Sequence, residues 1–240
     1  MAFSPGMEMR VVFHNGDEGM IRPLTLGAAV LAVVGIAAAQ APNSSRPDVR
    51  NIRLRGDRFK PLTYDEMTPA QKTMLGHLLA GPRAGANGPF NVLLRSPEIG
   101  DLGQEFGAST RFKSSLPQKL YELAILVTAR HWTSQYEWQA HHRSALQAGL
   151  SPAIADAIAQ GRRPAAMQKD EEAVYNFVSE LLNTKQVSDA TFAAAKNAFG
   201  ERGVVDIIAV TGWYNVVSML LNVDRYPVLD GTQPELKPLN

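Results

Sequence analysis

Glu122, Glu137 and His141 are the residues whose types and spacing could do chemistry together. Glu137 and His141 stand four apart, so a helix would place them one turn apart on the same face. Two carboxylates close together resist ionising at once, and an imidazole beside them is biased toward its cation. Such a set can deliver a proton to a substrate atom or remove one. Taken singly, Glu122 fits a structural ion pair with Arg111, Arg130 or His131, and His141 fits a satisfied core or surface histidine.

Two helices must bring these groups together. In Tyr121–Arg130 the apolar residues Leu123, Ala124, Ile125, Leu126 and Val127 run right round the wheel, the pattern of a buried helix. Glu122 has Ile125 and Leu126 at i+3 and i+4, so its carboxylate points into packed surface and needs a partner there. The second helix supplies one. Ser134, Glu137, Trp138, His141, Ala145 and Ala148 share one stripe, while Gln135, Gln139, His142 and Arg143 lie off it and read as solvated. Thr133 or Ser134 is placed to cap this helix and Gly149 to end it. Ser134 fits an N-cap or a substrate contact; as a nucleophile it would lie about 10 Å from His141 by helix rise. Trp138 is the candidate pocket wall, and Arg143 is either surface or a partner for a substrate carboxylate.

The run Glu122, eleven residues, Ser134-x-x-Glu137-x-x-x-His141, then Ala145 and Ala148-Gly149, resembles the signature of the carboxymuconolactone decarboxylase and alkylhydroperoxidase D-like superfamily. The peroxidase branch carries cysteines where Ser134 and Glu137 stand; Glu137-Trp138-Gln139-Ala140-His141 is similar to the decarboxylase-type branch. The resemblance covers about residues 60 to 230. It implies an all-α helical bundle, a single domain, that assembles into tight homo-oligomers. It also implies cofactor-free chemistry on a small lactone or keto-acid, as a lyase or isomerase. His141 would donate the proton, Glu122 would orient and charge-stabilise it, and Glu137 would be a second acid or base. A metal-dependent enzyme using Glu137 and His141, with Glu122 nearby, and a non-catalytic ligand-binding oligomer are the competing readings.

Composition narrows the classes. The 240 residues, 45% hydrophobic, can bury one good core. With 24 basic and 23 acidic residues there is no electrostatic bias toward nucleic acid. No cysteine is present, which removes disulfides, thiolate metal sites and a dithiol peroxidase mechanism.

Along the chain, residues 1–19 have no periodicity and read as an upstream extension. Residues 20–41 read as a secretory signal: Arg22, an apolar run from Leu24 to Ala39, and Ala39-Gln40-Ala41 as a cleavage site. Translation is expected to start at Met20, and the product to be periplasmic or secreted without a stable membrane span. The apolar run is shorter than the roughly 20 residues a span needs. Residues 42–60 read as an extended leader, 61–230 as the domain and 231–240 as a polar tail. Within the domain, Thr68-Pro69-Ala70-Gln71 forms a capping box, and Ser96-Pro97 and Ser151-Pro152 open further helices. Lys169–Leu182 is amphipathic, and Ser188 caps a helix that Gly200 stops. Val204–Val223 is apolar but broken by Asp206, Trp213, Tyr214, Asn215 and Asn222, as a helix buried by its neighbours or by another subunit would be.

Overall fold

Proline in the first turn opens three of the helices, where its missing N–H costs nothing. The computed structural model describes residues 48–83 and 85–238; the expected extension and signal at residues 1–41 lie outside the described residues. Helix α1 (Pro69–Ala80) starts at Thr68, whose hydroxyl accepts from the Gln71 N–H while the Gln71 amide oxygen accepts from the Thr68 N–H. A short α2 (Phe90–Leu93) follows, then α3 (Pro97–Phe112), α4 (Gln118–His131), α5 (Gln135–Gln147), α6 (Pro152–Ala159), α7 (Lys169–Thr184) and α8 (Asp189–Asp224). Among the described residues there is no strand, and the fold is all-α. Gly200, at φ 68° and ψ 179°, breaks α8 where a stop was expected.

Helix α4 is the axis of the core. Every residue from Leu120 to Arg130 is buried, as its all-round apolar sequence requires, with α5, α7 and α8 packed about it. Helix α8 buries Val204, Ile207, Val210, Tyr214, Val217 and Leu221 and exposes Val205, Ile208, Val216, Met219 and Val223. It is long and apolar enough to cross a membrane by length and composition, yet half of its most apolar window is buried within the protein. Helix α3 crosses α8 closely because Gly107 has no side chain. A Cβ there would fall 2.5 Å from the Trp213 indole.

The domain extends beyond residues 61–230. Leu54 and Leu236 are both buried in the core, and both flanks belong to the same compact unit. Residues 48–60 are therefore a packed strap. The buried Asp224 carboxylate accepts from the Asp57 and Phe59 N–H groups, and Arg55 bonds the Val228 carbonyl and Asp230. The buried Asp224 carboxylate would lose both of these donors if the strap lay free.

Candidate active site

The turn between α4 and α5 sets the site's geometry. Ser134 N–H donates to the Ala129 carbonyl at 2.9 Å and Thr133 N–H to Arg130 at 3.0 Å, closing α4. Thr133 takes the left-handed conformation, φ 48°, that such a stop needs, a strained choice for a β-branched residue. Ser134 occupies the N-cap position of α5, but its side chain does not cap the helix, and its buried hydroxyl has no partner among the described residues.

With the helices so joined, Glu122 on α4 meets His141 on α5. Nδ1 of His141 lies 2.6 Å from Glu122 Oε2, and Nε2 lies 3.0 Å from Glu137 Oε1. All three side chains are at most 7% exposed. The other Glu122 oxygen accepts from the Gln118 amide at 2.6 Å, so this carboxylate is fully engaged. Among the described residues, Glu137 has only its bond to His141. Burial alone would push the His141 imidazole down. The charge of Glu137, hydrogen bonds to Glu122 and Glu137, and the charge of Glu122 outweigh it and raise the value to about 9. At neutral pH His141 is an imidazolium, hydrogen-bonded to Glu122 and ion-paired with Glu137.

A cavity of about 440 Å³ opens on this set, with Glu137 and His141 in its wall and Glu122 behind them. The sequence does not single out Arg83, Arg111, Tyr136, Trp213 and Tyr214 as lining groups. Tyr214 sets its ring edge-on to His141, centroids 4.9 Å apart, and its hydroxyl accepts from Tyr121 at 3.3 Å. Burial, reinforced by Tyr121 and Glu137, holds the Tyr214 phenol well above its ordinary value, so it stays protonated. Arg83 stacks on Phe90, and its buried Nε and Nη2, on one edge of the guanidinium, have no partner among the described residues. Burial lowers the Arg83 value, but arginine remains a cation.

The expected substrate contacts fare differently. Ser134 is fully buried and lies off the cavity wall. Trp138 also lies off it: one residue on from Glu137 is a rotation of about 100°, which turns the indole to the chain's C-terminal segment, where Nε1 donates to Glu235 at 2.9 Å. Arg143, two residues past His141, is exposed and absent from the wall. Gln135 and Gln139 do not face solvent freely either. Gln139 bonds the Gln233 carbonyl, Leu229 N–H and Thr232 hydroxyl, and Gln135 bonds both backbone groups of Leu236. The returning segment covers that face.

Metal binding by Glu137 and His141 fits the geometry poorly. Both imidazole nitrogens face carboxylates, and among the described residues no group of three or more His, Asp or Glu is arranged to hold an ion.

The model of the carboxymuconolactone decarboxylase family matches residues 97–180, which include Glu122, Glu137 and His141. The family segment supplies the ionisable set, while Arg83, Trp213 and Tyr214 come to the cavity from outside it. No curated protein matches the chain. Among solved structures, a protein of unknown function from Agrobacterium tumefaciens, named for the antioxidant defence protein AhpD, is similar at 15% identity with a TM-score of 0.49. The match covers 58% of this chain and 96% of that one.

Proposed function

We propose that the protein is a cofactor-free acid–base enzyme, a lyase or isomerase acting on a small lactone or keto-acid. The observation that carries this reading is the His141 imidazolium held between Glu122 and Glu137 in the wall of a cavity. Glu122, locked by Gln118, keeps the ring oriented and charged, and Glu137 and His141 meet the substrate. In a decarboxylation the C–C bond to the carboxylate breaks, carbon dioxide leaves, and the electron pair stays on carbon as an enolate. His141 gives that carbon its proton, and Glu137, with an oxygen unclaimed, serves as second acid or base. The unpaired edge of Arg83 is suited to hold a substrate carboxylate in two parallel hydrogen bonds. With no cysteine in the chain, dithiol peroxide reduction has no nucleophile.

A screen of lactones and keto-acids tests the proposal, with turnover followed for the wild type, Glu122→Gln and His141→Gln and folding checked by circular dichroism. Turnover in both variants should fall about 10²–10⁴-fold. Equal rates in folded variants would overturn the assignment.

The exposed apolar strip on α8, with Ile99, Leu102 and Phe106 on α3, supports the further reading that copies of the chain assemble through this face. Light scattering on the purified protein decides that. Export rests on the signal-like residues 20–41, and N-terminal sequencing of the mature protein tests it.

A further inference from the structure

A second cavity, of about 220 Å³, lies where α4, α6 and α7 end. Its polar wall is Arg130, His131, Arg162, Tyr175, Ser179 and Asn183, over an apolar floor that includes Val127, Ile158 and Leu182. No aspartate or glutamate among the described residues contributes to it. Among the described residues, no carboxylate lies within ion-pair distance of Arg130, His131 or Arg162.

Arg130 is the unusual member. It is 4% exposed, and Nη2 donates to the Lys237 carbonyl at 2.8 Å, but Nε and Nη1 are shut off from solvent with no acceptor among the described residues. A buried cation with unmade hydrogen bonds is expensive unless something else supplies the partner. The carbonyl ends of three helices attract cations, which accounts for basic residues gathering here. They do not supply the acceptors. The last carbonyls of α4 already take the N–H groups of Trp132, Thr133 and Ser134; those of α6 take Gly161 and Arg162, and α7 takes Lys185. The donors left over are cationic or neutral: Nε and Nη1 of Arg130, Nη1 of Arg162, whose Nε and Nη2 donate to Gln160, two hydroxyls, an amide and an imidazole. That complement suits oxygen acceptors carrying negative charge.

We propose that this cavity is a second ligand site, separate from the Glu122–His141–Glu137 cavity, and that it binds a small oxyanion, a carboxylate or a phosphate group, through Arg130 with help from Arg162. Calorimetric titration of the whole protein with inorganic phosphate and, separately, with acetate at constant ionic strength should show saturable binding of at least one. The tighter of the two identifies the preferred oxyanion. The Arg130 Nε–H resonance should move during that titration. Arg130→Gln should weaken binding about ten- to a hundredfold, the loss expected for a charge-assisted hydrogen bond. Should Arg130→Gln fail to fold, the exposed Arg162→Gln takes its place and should weaken binding by a smaller factor. Arg83→Gln, in the other cavity, should leave it unchanged. Absence of saturable binding at millimolar anion would overturn the proposal. So would binding that survives Arg130→Gln, or Arg162→Gln in its place, or that disappears with Arg83→Gln. None of these results bears on turnover at His141, so the two assignments stand or fall separately.

Discussion

Helix α5 is covered on two sides, and the two sides handle polarity in opposite ways. Toward α4 and the large cavity it presents charge: the His141 imidazolium between two carboxylates, with one carboxylate oxygen left without a protein partner. Toward the C-terminal segment it presents chiefly neutral groups: Gln135 and Gln139, each matched to backbone donors and acceptors, and Trp138, which shares the Glu235 carboxylate with the part-exposed His142. Amide pairing of this kind closes a surface and leaves nothing to react. The charged side keeps ionisable groups in reserve beside an open space, the arrangement expected where protons must move.

The contrast can be broken most severely at His141. His141→Ala leaves two buried carboxylates facing each other, and the expected loss is about 3–5 kcal/mol of stability at neutral pH, read from urea unfolding. A pH series probes the same charge in the wild type. The folded value of about 9 lies above the ordinary 6.5, so the stabilisation is complete below about 6.5 and disappears as pH rises through 9. The total is on the order of 3 kcal/mol. In Glu122→Gln this alkaline loss should shrink, and the His141 titration followed by NMR should move down. On the neutral side the effect is smaller. Gln139→Ala orphans the Leu229 N–H and should cost about 1–3 kcal/mol, the same decrement from wild type at every pH from 6 to 9, the range over which His141 changes the stability of both proteins. Arg143→Ala, on the exposed edge between the two faces, should change stability by less than about 0.5 kcal/mol and leave turnover intact.

What could be read from the chain followed the range of the interactions. The i, i+4 pair of Glu137 and His141 and the burial of Glu122 are local facts of helix geometry, and so are the proline starts and the Gly200 break. Tyr214 is 73 positions from His141, and only the folding of α8 against α5 brings the rings together. Its one signal was a tyrosine in an otherwise apolar run, legible as an interruption rather than as a cavity wall. Gln139 was read as solvated because nothing local announces that residues 229–236 return to cover it. Trp138 was assigned to the cavity from a stripe too broad to separate neighbours about 100° apart. Arg83 sits in the loop after α1, where no periodicity specifies direction.

The bare backbone of Gly107 also fixes how much room a reactant has. Trp213 forms part of the large cavity's wall and rests on the spot where any larger residue would put its first carbon. Alanine there would force the indole or helix α3 to shift and so reshape the chamber wall, with Glu122, Glu137 and His141 on other helices. Substrate size could therefore be tuned from the back of the wall, by one methyl group on a helix that contributes none of the three proposed proton-handling residues.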